Sequence, residues 1–164
     1  MACRGVHFAV NSDDADRLLG APDDNETLRI VQDEIEERWE QDWLLQTDKA
    51  WDAIHRCLSD GTLLLDRGEY PKNLAILGGR QLYHGENYIM SLVTPDQAKA
   101  VALALGQLDE TWLRERYSSI DRDDYQHPKS DEDFAYTWDY FKELAPFFKR
   151  AAEAGRHVLF TVDQ

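Results

Sequence analysis

Cysteine is scarce in this chain. Its 164 residues hold two, Cys3 and Cys57, and neither has a Cys-x-x-Cys partner or the Cys/His spacing of a zinc site. A disulfide scaffold is not expected, and both cysteines read as free thiols. Long apolar runs are missing too. None approaches the roughly 20 residues that span a bilayer, so a soluble protein with no membrane partner is expected. The opening Met1-Ala2-Cys3-Arg4-Gly5-Val6 lacks the positively charged start and long apolar segment of a secretory signal, which points to a cytoplasmic address. Basic residues are few: 18 Lys and Arg stand against 32 Asp and Glu, a net charge of −14. Such a chain repels phosphate backbones and anionic lipid surfaces, so nucleic acid is not an expected partner. No phosphate loop, dinucleotide fingerprint, nucleophile elbow or metal-ligand set is visible, and neither a cofactor nor a metal is expected.

What the chain does have is material for a core. Hydrophobic residues make up 43%, with five Trp, seven Tyr and six Phe, enough apolar surface to offset the ordering entropy of a charged chain. The length suits one domain over residues 1–164.

Periodicity divides the chain into elements. Gly5 to Val10 alternates as a strand with Val6, Phe8 and Val10 on one face. Ser12-Asp13-Asp14 starts a short helix that stops at Gly20. Leu28, Val31, Ile35, Trp39 and Trp43 recur at spacings of three and four, predicting one amphipathic helix from Glu26 to Trp43 whose Asp33, Glu36, Glu37 and Glu40 face water. A second helix is predicted from Thr47 or Asp48 to Leu58, forming a hairpin with the first. Glycines and Pro71 break the stretch from Thr62 to Tyr88 into turns, with one helical piece near Leu74 to Leu77. Tyr88 to Val93 reads as a strand. Thr94-Pro95-Asp96-Gln97 is a capping box with Pro at the first helical position, opening a helix to Leu105. Asp109 caps another, carrying Trp112, Leu113 and Tyr117. A polar loop follows, Ser118 to Lys129. The last helix carries Phe134, Trp138, Phe141, Leu144 and Phe148, and Pro146 must kink or divide it. Arg156 to Val162 is a terminal strand. The sum is an α+β fold, mainly helical, with a short sheet of three to four strands that includes both chain termini.

The block Asp48-Lys49-Ala50-Trp51-Asp52-Ala53-Ile54-His55, then Ala75-Ile76-Leu77-Gly78-Gly79, then the aromatic C-terminal helix ending at Gly155 before a strand, together resemble the YfbM-like family of small bacterial proteins. The likeness spans nearly the whole chain, and its most specific piece is the first block followed by the Leu-Gly pair. The resemblance implies an α+β fold and a bacterial, cytosolic setting. The family has no assigned activity, so it brings no catalytic residues to these positions.

Two constellations hold residue types suited to a site. Asp48, Trp51, Asp52 and His55 fall at i, i+3, i+4 and i+7, which on one helix would let a carboxylate orient an imidazole as a general base. The same spacing equally gives a helix-start carboxylate, a core tryptophan and a locally bonded histidine. Gly78, Gly79 and Arg80, followed by Tyr83, His84, Gly85 and Tyr88, combine flexible backbone, a cation and polar aromatic tips that would suit an anionic or planar ligand. Tight turns explain the glycines as well. Tyr125, His127 and Pro128, beside Tyr136 and Tyr140, suggest an exposed aromatic patch on the acidic loop.

Two functions follow. One is a non-catalytic binding module, immunity-like or antitoxin-like, directed at a basic protein partner: the first 42 residues carry twelve acidic and four basic side chains, and such a field steers cations. The other is a small-molecule-binding protein or small enzyme with a pocket in which His55, Arg80 and an acidic residue converge.

Overall fold

A computed structural model describes residues 3–164. Its centre is a five-stranded antiparallel sheet of β1 (Gly5–Val10), β2 (Leu44–Asp48), β3 (Arg80–Gln81), β4 (Tyr88–Val93) and β5 (His157–Asp163), in the order β2-β1-β5-β4-β3. Both chain ends lie in it, as expected, but the strand number exceeds the predicted three to four. The strands not read from sequence carry no alternation signal of their own: β3 is two residues long, and β2 falls at the junction expected between the two predicted helices.

Register fixes the two faces. Val6 lies opposite Thr161, Phe8 opposite Leu159, and Tyr88 opposite Asp163. Alternation then sends Phe8, Val10, Met90, Leu92 and Leu159 into one core and Ala9, Val93, Val158, Phe160 and Val162 into another, one on each side of the sheet.

On the first side lie α1 (Ser12–Leu19) and α2 (Asp24–Arg29), each opened by a side-chain cap, from Asn11 and Asp23. The predicted single helix to Trp43 does not form. After Arg29 the chain widens into a π-helical stretch, Ile30–Glu36, Trp39 adopts a left-handed φ of 43°, and one 3-10 turn at Gln41–Trp43 leads into β2. The predicted helical hairpin is therefore absent. Its second arm, α3, spans only Trp51–Leu58, because Asp48 closes β2 with a left-handed φ of 45°.

The second side carries α3, α4 (Pro95–Leu105), α5 (Glu110–Ser118), α6 (Asp131–Phe141) and α7 (Leu144–Glu153). The capping box is formed as read: Thr94 accepts from the Gln97 backbone and Gln97 from the Thr94 backbone. The helical piece in the central stretch lies at Lys72–Ala75. Pro146 divides the last helix. Its ring falls in the first turn of α7, where a backbone N–H has no intrahelical acceptor to lose. Among the described residues no helix is long and apolar enough to cross a membrane.

Candidate functional site

The two predicted constellations come apart in the fold. His55 is fully buried at 0% exposure, with Nε2 3.4 Å from the Leu64 carbonyl. Burial lowers its pKa to about 4, so its imidazole is neutral and sealed. Arg80 is exposed on the edge strand β3 and shares none of the described cavities with His55. The expected convergence of His55 with Arg80 is corrected: one is core, the other surface. Gly78 and Gly79 are accounted for by close packing. A Cβ at Gly78 would collide with the Asn73 carbonyl, and one at Gly79 would lie 2.6 Å from Ser91 Oγ, which accepts the Gly79 N–H at 2.9 Å. Tyr83 donates its hydroxyl to Asn87 at 2.6 Å, closing the turn before β4.

Asp48 is not on a helix with the other three. At the end of β2 its carboxylate accepts from Tyr136 at 2.8 Å and faces Arg4 at 3.4 Å. Trp51 and Asp52, at the start of α3, do line a cleft of about 930 Å³, together with Arg56, Leu63, Leu64, Asp124 and His127. Its floor is an ion triad. Arg56, whose side chain is 3% exposed, donates Nε to Asp52 at 2.6 Å and Nη1 to Asp124 and to the Gly61 carbonyl. Burial alone would lower the guanidinium pKa, but the hydrogen bonds to Asp124 and Asp52 more than offset it and raise it. The triad ties the 119–130 loop down onto α3. Tyr125 is consequently buried, its hydroxyl donated to Asp133 at 2.9 Å, which removes it from the expected exposed aromatic patch. His127 remains beside the cleft, its ring 5.2 Å from that of Tyr125.

The opposite wall of the cleft is apolar. It is formed by Leu63 and Leu64, of which Leu64 is 51% exposed, on the stretch between α3 and the Lys72–Ala75 turn; Leu65, 40% exposed, follows them outside the lining. Leu63-Leu64-Leu65 is visible in sequence as an apolar triplet, and only the place of Leu63 and Leu64 at the cleft was illegible. Arg56 and Asp124, 68 residues apart, carry no sequence signal of their pairing.

A second cavity, of about 430 Å³, opens on the other side of the sheet, lined by Glu36, Trp39, Tyr88, Thr161 and Asp163. Glu36 was expected on a solvated face with Asp33, Glu37 and Glu40. Those three are exposed, whereas the wider π-helical winding turns Glu36 toward the sheet. Its Oε1 accepts the hydroxyls of Tyr88 and, at 3.1 Å, of Thr161. Burial raises its pKa against the effect of those two hydrogen bonds, and Asp163 adds to the rise. The Tyr88 hydroxyl is pushed up in turn, first by burial and then by Glu36.

The acidic first quarter is partly paired from within, by the few arginines it holds. Arg17 and Arg29 both bind Glu34, at 2.6 and 2.8 Å, Arg29 also binds Glu26 at 2.6 Å, and Arg38 pairs with the buried Asp14. Among the described residues no group of three or more His, Cys, Asp and Glu side chains is placed to hold a metal ion.

Comparison with known proteins gives likeness without activity. The model of a domain of unknown function (DUF1877) matches residues 1–161. The crystal structure of YfbM from Escherichia coli, itself a protein of unknown function, is similar in fold at 20% identity, with a TM-score of 0.68, over 97% of this chain and 99% of that one. None of the curated proteins matches.

Proposed function

We propose that this chain, which belongs to the DUF1877 family over residues 1–161, is a non-catalytic binding module that takes a segment of a basic protein partner in the cleft above Arg56. The family match and the shared fold support the resemblance to YfbM-like proteins. The observation that carries the functional reading is Leu64, 51% exposed and lining, with Leu63, a cleft whose charged side chains Asp52, Arg56 and Asp124 already satisfy one another. Exposed large apolar side chains beside a concavity suit coverage by a partner. The net charge of −14 selects the sign of that partner, because long-range attraction speeds encounter with a basic surface. An immunity-like or antitoxin-like role fits the same description.

Cys3 lines the cleft and Cys57 is buried, so a thiol-directed photocrosslinker can be placed at the cleft alone. The expected result is a basic protein crosslinked from host extract, with the yield reduced by added salt and by Leu64→Asp. Capture of the same proteins by the Leu64→Asp variant, or of acidic ones, would overturn the reading.

A further inference from the structure

The cavity on the other side of the sheet has chemistry that the cleft lacks. Glu36 spends both of its internal hydrogen bonds on one oxygen: Tyr88 and Thr161 donate to Oε1. Oε2 makes no hydrogen bond among the described residues, and no ion pair there compensates the carboxylate. Arg4, the cation in the lining, is engaged by Asp48 at 3.4 Å. A half-buried carboxylate whose second oxygen is open to the cavity can take a charged donor, and hydrogen bonds to ionised groups are the strong ones. Asp163 adds a second carboxylate to the wall. The mouth holds an indole: Trp39 stays 38% exposed, its ring edge-on to Phe8 with centroids 5.9 Å apart. Indole is the best aromatic surface for a cation. The volume of about 430 Å³ is of the class that takes small organic ligands.

We infer that this cavity binds an alkylammonium group, with Glu36 Oε2 and Asp163 receiving the ammonium and Trp39 covering its alkyl stem. A guanidinium is less suited, because its planar fork favours a bidentate carboxylate, and Glu36 has one oxygen occupied by two hydroxyls. The ammonium can come from a free amine or from a lysine side chain. The inference is independent of the cleft, which lies across the sheet.

The test is an NMR titration of the whole chain, following the backbone amides of Tyr88 and Thr161 and the indole N–H of Trp39. The probes are butylammonium chloride, putrescine and Nα-acetyl-lysine N-methylamide, with sodium chloride and 1-butanol as matched controls. Saturable shifts at all three reporters with at least one ammonium probe, and none with the controls, are expected. The tighter of the amine and the lysine derivative identifies the source. Glu36→Gln should weaken binding about tenfold, and Trp39→Ala about threefold, read at the backbone amides. Asp163→Asn, at an exposed strand end, should weaken it by a smaller factor and serves if Glu36→Gln disturbs the fold. Leu64→Asp should leave the titration unchanged. Absence of saturable shifts, equal shifts with 1-butanol, or unaltered affinity in both carboxylate variants would overturn the inference.

Discussion

A methyl group added at Gly79 would lie 2.6 Å from Ser91 Oγ and 2.7 Å from the Leu92 carbonyl. Backbone cannot move aside as a flexible side chain does, so Gly79→Ala is expected to destabilise the fold by about 1–3 kcal/mol. At Gly61, with φ of 93° and open space around it, the same change meets only backbone strain and should cost about 1 kcal/mol. Urea denaturation of both variants checks the order. The thiols make a second pair of contrasts. Burial pushes the Cys57 thiol up to about 12, with Arg116 and Lys129 only partly opposing it, whereas Cys3 is half-buried beside the cleft. A disulfide-exchange reagent at neutral pH should titrate one thiol in the native protein and two in denaturant. Two fast thiols in the native state would contradict the burial of Cys57.

At the scale of elements, the Arg56 triad decides how the 119–130 loop is held. Removing Arg56 leaves Asp52 and the loop without their shared partner, so Arg56→Ala should destabilise by about 3 kcal/mol, in the range for breaking a buried ion pair. Asp124→Ala removes a side chain 61% exposed, which screens the pair, and should cost about 1 kcal/mol or less while quickening proteolysis within 119–130. Nothing in the sequence joins these two residues, since a hydrogen bond across 68 positions leaves no local pattern. Elements with local grammar were legible: β1 by alternation, β4 by its β-prone apolar run, α4 by its capping box, the α6 and α7 break by Pro146. Those set by tertiary pairing were not. Leu44–Asp48 becomes a strand because β1 offers it an edge, with Phe8 opposite Leu44 and Val6 opposite Gln46. The π-helical winding at Ile30–Glu36 is equally silent, and it alone moves Glu36 from the water-facing side to a cavity. Of the predicted site residues, Trp51 and Asp52 reach the cleft and Tyr88 reaches the second cavity. The helical register that groups His55 with them is real only from Trp51 onward, and its far end points into the core.

For the molecule as a whole, two histidines buried on the helical side of the sheet make pH a stability variable. His7 sits at 0% exposure in the second core against Phe147, Phe148 and Phe160, donating Nε2–H to the Ala75 carbonyl at 2.7 Å and leaving Nδ1 without a partner. Burial, against that backbone hydrogen bond, lowers its pKa to about 4, and burial likewise lowers that of His55 to about 4. Both fall below the unfolded value of about 6.5, so between pH 6.5 and 4 the unfolded chain binds more protons than the folded one. Stability is therefore full above about pH 6.5 and declines as pH falls, by roughly 3 kcal/mol for each histidine once pH is below 4. Glu34, held near 2 by its hydrogen bonds to Arg17 and then Arg29, extends the decline to lower pH. Glu36 acts in the opposite sense, because its raised pKa lets the folded state take up that proton first. Two histidines outweigh one half-buried carboxylate, so the urea midpoint should fall steadily from pH 7 to pH 4.5. His7→Gln should start lower at pH 7, having lost a packed ring, yet decline about half as steeply. Parallel pH slopes for the variant and the wild type would place the titrating groups elsewhere and take His7 out of the account.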